Sequence, residues 1–163
     1  MIKELNRNDI PQCVQVIRDS FQTVADEFGF TADNAPGFTA FSTTETKLLQ
    51  WMEDQHRPMF GYYDENGELI GYYNLLVQSD RECELGSLCV LPDHRHCGIG
   101  KKLLNDSLAR AKAYKCIAMK LSIVEENSVL RRWYEKNGFV HTGTKKFSFF
   151  PFTCGYLEMP LCE

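Results

Sequence analysis

The sequence has no apolar run near the roughly 18 residues of a membrane-spanning helix, and the stretch from Met1 to Asn8 lacks the apolar core of a secretion signal. It has no cluster of Lys or Arg either. The 18 basic and 22 acidic side chains leave a formal net charge of −4, which disfavours general binding to nucleic acid or to an anionic membrane. Paired cysteines are also missing: Cys13, Cys83, Cys89, Cys97, Cys116, Cys154 and Cys162 are odd in number and contain no C-x-x-C. Reduced thiols filling apolar space fit that pattern better than a disulfide framework. There is no internal repeat, low-complexity tract or linker. These absences together predict a cytoplasmic protein without nucleic-acid or membrane partners.

What is present suits an ordinary folded chain. With 163 residues, 44% hydrophobic and 25% charged, one domain over residues 1–163 can stand on its own core. Ile10, Cys13, Val14, Ile17, Phe21 and Val24 recur at helical spacing, with Asp9 as the expected cap, Pro11 in the first turn and Gly29 at the end. Residues 31–41 carry Gly, Pro, Asn and Asp without a period and predict a long loop. Ser42-Thr43-Thr44-Glu45 then reads as a capping signature for a second helix through Leu48, Leu49 and Met52.

Met59 to Tyr63 and Leu69 to Val77 flank Asp64-Glu65-Asn66-Gly67 and predict a hairpin. Glu84 to Leu91 is a further strand, stopped by Pro92. Ile99, Leu103, Leu104, Leu108 and Ala111 mark a helix, and Ile117 to Val124 a buried strand. After Asn127, Leu130, Trp133 and Tyr134 share one helical face up to Gly138, and two strands near 140–149 and 155–159 close the chain. This order predicts the α/β class: a single mixed, mostly antiparallel sheet flanked by helices on both faces.

The chemistry concentrates in Val90-Leu91-Pro92-Asp93-His94-Arg95-His96-Cys97-Gly98-Ile99-Gly100-Lys101-Lys102, a strand, a basic loop and a helix start. Glycines there admit a ligand to the backbone, and a helix N-terminus adds partial positive charge, so a pyrophosphate is the natural occupant. A Walker A loop would need Gly at 95 and Ser or Thr at 102, where this chain has Arg95 and Lys102. A dinucleotide fingerprint would need a third glycine where Leu103 stands. His94, His96 and Cys97 lie together, but no spaced partner completes a ligand set, so no metal is expected.

Arg95-His96-Cys97-Gly98-Ile99-Gly100 resembles the acetyl-CoA loop R/Q-x-x-G-x-G/A of the GNAT family of N-acetyltransferases. The preceding Leu88-Cys89-Val90-Leu91-Pro92 is similar to the family's strand, and Asn127 through Tyr134 to Gly138-Phe139 is similar to its later helix. The resemblance covers about residues 60–160 and implies the GNAT fold, acetyl-CoA as co-substrate and an amine acceptor. It implies that the backbone of Leu88, Cys89 and Val90 holds the pantetheine arm, and that the loop amides of Arg95, His96, Cys97, Gly98, Ile99, Gly100 and Lys101 hold the pyrophosphate. Asn127 would touch the arm, Glu84 would take the proton from the amine directly or through water, and Tyr134 would protonate the leaving thiolate.

Glu82 stands on the same strand face as Glu84 and is the nearest substitute base. The acceptor is not legible: Asp26, Glu27 and Asp33 suit a cationic amine, whereas Phe28, Phe30 and Phe38 suit an apolar portion. A homodimer is compatible with the sequence and not specified by it. The reading of a different class is a catalytically inert acyl-CoA-binding regulatory domain, separable by thiol release from acetyl-CoA with a panel of amines.

Overall fold

A computed structural model describes residues 1–161, so Cys162 lies outside the described residues. Among these residues seven strands form one sheet in the order β1-β2-β3-β4-β5-β7-β6. They are β1 (Ile2–Glu4), β2 (Met59–Tyr63), β3 (Leu69–Val77), β4 (Glu82–Val90), β5 (Ala118–Val124), β6 (Val140–Lys146) and β7 (Thr153–Pro160). Five helices accompany them: α1 (Ile10–Phe28), α2 (Thr39–Ser42), α3 (Glu45–Glu53), α4 (Ile99–Ala113) and α5 (Ser128–Lys136). All neighbouring strands run antiparallel except β4 and β5. The mixed, mostly antiparallel sheet expected from the element order is what forms.

Helices cover both faces because the central strands are apolar on both. Adjacent residues of β3 serve opposite cores: Tyr72 packs with Ile17 and Leu48 from α1 and α3, and Tyr73 with Leu103 and Leu104 from α4. A strand buried on both faces reads as a continuous apolar run, which Leu69–Val77 does. A third cluster packs Ala25 of α1 with Phe30, Phe38, Val124 and Phe152.

Several local expectations are corrected. Asp9 does not cap α1 with its side chain; it joins Asn6 in a reciprocal capping box around a 3₁₀ turn just before the helix. The residues 31–41 expected as loop contain the start of α2. The last hairpin is shorter than the pattern suggests, since β6 ends at Lys146 and the Phe-rich residues 147–152 form its connection to β7.

One departure from regular pairing makes the site. β4 and β5 pair only through Glu82↔Ala118, Cys83↔Met119 and Glu84↔Lys120, after which β5 continues to Val124 against β7 alone. On its other edge β4 holds one extra residue against β3, between the pairs Asn74↔Gly86 and Tyr72↔Cys89, with Ser87 at φ +52°. Such a bulge bends the strand and leaves a residue outside the ladder. Gly86 is required beside it, because a Cβ there would stand 2.6 Å from Oδ1 of the buried Asn74.

Candidate active site

Beyond Val90 the chain turns through a short 3₁₀ segment at Pro92–His94 and enters α4. His96 and Gly98 both have positive φ, at +63° and +83°. Alternating backbone hands of this kind aim successive amides to one side and form an anion-binding nest. The amides from His96 to Lys101 find no acceptor among the described residues, while the Lys102 amide is the first to bond back, to Gly98. This row of free donors at the start of a 15-residue helix is an anion cradle. A Cβ at Gly98 would meet nothing within 4 Å, so the cradle is open on that side.

Behind the cradle lies a cavity of about 600 Å³, within the range that holds a sizeable ligand. Of the residues expected to hold the coenzyme, Leu88, Cys89, Val90, Arg95, His96, Gly98, Gly100, Lys101 and Asn127 line it. Two do not. Ile99 is turned into the core beneath the sheet, and Cys97 is exposed with its thiol toward the Arg95 carbonyl. Their backbone amides remain in the cradle.

The side chain of Arg95 has a structural task. Its Nε donates to the Val90 carbonyl at 2.9 Å, one Nη to Thr23 Oγ1 at 2.9 Å and the other to the Ser20 carbonyl at 2.7 Å. The guanidinium is a clasp that ties α1 to the end of β4, and the Arg95 amide bonds back to the Pro92 carbonyl, so the free amides of the cradle begin at His96. Arg95→Met should lower unfolding stability by roughly 2–4 kcal/mol, since it strips charged donors from part-buried acceptors. Arg95→Lys should recover little, because one ammonium cannot reproduce the fork. Denaturant midpoints check both.

A second cavity of about 210 Å³ occupies the gap where β4 and β5 part. It shares Phe21, Val24, Leu88, Asn127, Leu130 and Tyr134 with the first, so the two meet at Tyr134. Asn127 Oδ1 accepts from the Leu130 amide and caps α5 while its side chain borders both cavities. Tyr134 is only 5% exposed, and burial pushes its phenol well above the ordinary value, with Cys89 adding to the effect. The hydroxyl therefore stays protonated and can donate. Burial also pushes the Cys89 thiol up to about 12, which leaves it a poor nucleophile near neutral pH.

Glu84 lines neither cavity. It is exposed at the last β4–β5 pair before the gap, adjacent in sequence to Leu85, which lines the smaller cavity. Its partner Lys120 stands two residues before Ser122, another lining residue. Glu82 forms an ion pair with Lys120 at 2.6 Å.

Residues 22–139 match the family model described as Acetyltransferase (GNAT) family. The chain belongs to this family. An uncharacterised N-acetyltransferase of Mycobacterium tuberculosis is 25% identical over 115 residues, which cover 71% of this chain and 73% of that protein. Spermine/spermidine N(1)-acetyltransferase of Bacillus subtilis is 32% identical over 101 residues, covering 57% of this chain and 65% of that enzyme. The fold is that of PaiA N-acetyltransferase from Thermoplasma acidophilum, whose crystal structure contains coenzyme A, with a TM-score of 0.80. Identity to it is 21%, and the match covers 98% of each chain.

In this member of the family, α1 supplies residues of the larger cavity that motif reading did not find: Ser20, Thr23 and Glu27, with Val129 and Trp133 from α5. Ser20, Thr23 and Glu27 recur at a spacing that places them on one face of α1, a polar stripe that was available as a signal. Ser20 Oγ is 2% exposed at the residue level and has no hydrogen-bond partner among the described residues. That hydroxyl lies beside the buried Cys89 thiol. The free amides of the loop are the feature that fits a pyrophosphate-bearing coenzyme. No group of His, Cys, Asp and Glu among the described residues could hold a metal ion.

Proposed function

We propose that this protein transfers an acetyl group from acetyl-CoA to a primary amine by direct attack in a ternary complex. The observation that carries the reading is the meeting of two cavities at Tyr134, one ending in an anion cradle and the other in the β4–β5 gap. The amides from His96 to Lys101 hold the pyrophosphate, and Leu88, Cys89, Val90, Ser20 and Asn127 border the pantetheine arm. Acetyl-CoA supplies a thioester: the amine nitrogen bonds to the carbonyl carbon, the C–S bond breaks, and the sulfur takes up a proton.

The chain's own part is to manage protons and exclude a covalent route. Tyr134 donates to the leaving sulfur, and the neutral Cys89 thiol does not compete as acyl acceptor. Glu84 receives the amine's proton through water, since its carboxylate stands outside the cavity. Among the described residues no helix is long and apolar enough to cross a membrane, and the described cysteines are free thiols, which supports a cytoplasmic setting.

Coenzyme A at 100 times its dissociation constant should add roughly 2.7 kcal/mol to unfolding stability, with ATP and NAD adding much less. Calorimetry that detects no coenzyme A binding to folded protein would remove the central claim. A base acting through water lies at the low end of the usual general-base contribution, so Glu84→Gln should slow turnover by about 10–100-fold at neutral pH. The loss should shrink as pH rises and free amine becomes abundant. A pH-independent, full-sized rate would make Glu84 structural.

A further inference from the structure

The smaller cavity is walled by rings and branched side chains. Phe21 and Val24 come from α1, Phe38 from the residue before α2, Leu85 from β4, and Phe150 and Phe152 from the β6–β7 connection. Phe38 and Phe152 meet edge to face at 5.8 Å, and Phe150 stacks on Phe152 at 4.7 Å. Such a frame offers faces and edges to a further aromatic ring. Among its polar members, Asn127 and Tyr134 lie where this cavity joins the larger one, and Thr39, Ser87 and Ser122 stand along its other walls.

No Asp or Glu is among its lining residues. Of the carboxylates next along the chain, Glu125 binds Arg131 at 2.8 Å and His141 at 2.7 Å, Glu126 accepts from the Thr153 amide at 3.0 Å, and Glu84, beside Leu85, is exposed outside the lining. Asp26 and Asp33 are exposed, and Glu27 borders the coenzyme cavity instead. A second cation held inside the cavity would therefore meet no counter-charge on its walls, which is unfavourable. Volume points the same way. A dry cavity of ~150 Å³ accepts one benzene molecule, so about 210 Å³ takes a ring with a short aminoalkyl chain and little more.

We propose that the acceptor is a small monoamine carried on an aromatic group, and that polyamines and aminoglycosides are poor acceptors. This rests on the acetyltransferase reading of the same site and sets this chain apart from its spermine/spermidine-named relative. The test compares 2-phenylethylamine, spermidine and kanamycin by thiol release from acetyl-CoA, with calorimetric binding of each amine to protein saturated with coenzyme A. The expected result is kcat/KM for 2-phenylethylamine at least about 100-fold above that for spermidine, with a matching order of binding, as burial of an unpaired charge requires.

Thr39 lines the cavity and is half-buried. Thr39→Glu places a carboxylate there without removing a ring and should move the ratio toward spermidine by about 10-fold or more. Efficient turnover of spermidine by the unaltered protein would overturn the proposal and leave the acetyltransferase reading standing. Absence of turnover with every amine, despite coenzyme A binding, would overturn that reading and this proposal with it.

Discussion

Gly98→Asp is expected to abolish coenzyme A binding in a protein that still folds. Gly98 begins α4 at φ +83°, and the space where its Cβ would stand is empty out to 4 Å. A Cβ there meets no protein atom within 4 Å, so the substitution adds a negative charge at the start of the amide row proposed to hold the pyrophosphate. Setting a carboxylate against a pyrophosphate costs several kcal/mol, or on the order of 1,000-fold in affinity. The backbone strain of a non-glycine residue in the left-handed region adds roughly 1–2 kcal/mol to folding alone. Gly98→Ala carries that strain without the charge, so it should lose stability and keep most of its affinity. Calorimetric titration of both variants, with circular dichroism as the folding control, separates the two effects. Undiminished affinity in folded Gly98→Asp would place the coenzyme elsewhere.

Tyr134→Phe should reduce the chemical step by roughly 10–1,000-fold, equivalent to about 1.4–4 kcal/mol of barrier, while leaving stability and coenzyme affinity nearly unchanged. The ring packs edge on against Trp133 at 5.0 Å and Phe139 at 5.5 Å, and phenylalanine preserves both contacts. Only the hydroxyl is lost, at the point where the two cavities join. Because burial raises its pKa, the phenol stays protonated over the working pH range, and the defect should be flat below the ordinary tyrosine value. Single-turnover measurement is required, since slow product release would mask a chemical defect. A wild-type single-turnover rate across pH would reduce Tyr134 to packing and leave solvent to protonate the sulfur.

The parts of this protein legible in the sequence are those governed by local rules. The Asn-Gly turn and the apolar period of α1 and α4 depend on neighbours a few residues apart, and the structure contains each of them. The loop from Arg95 to Lys101 is equally local: its glycine spacing and the helix that follows are enough to make a row of free amides. Even there one side chain's task was hidden. The loop motif says nothing of what the Arg95 guanidinium holds, and only the arrival of α1, some 70 residues earlier in the chain, gives it the carbonyl and hydroxyl it binds.

The smaller cavity was beyond reach for a related reason. Its walls come from α1, the α2 entry, β4, β5 and the β6–β7 connection, and no period links Phe21, Phe38, Leu121 and Phe152. It exists because β4 and β5 separate after Glu84↔Lys120, and that separation follows from a bulge against β3 and from β5 keeping β7 as its partner. The same separation decides which acidic residues matter: Asp26 and Asp33, noted as amine ligands from composition, remain in solvent, whereas rings from distant segments converge. Thus the sequence by itself determined the sheet-and-helix order, the coenzyme loop and the family, because each is written in short-range spacing. Tertiary structure alone decided where Arg95 points, how far Glu84 stands from the reacting centre and what kind of amine the gap can hold, because each depends on strands and helices meeting across the sheet.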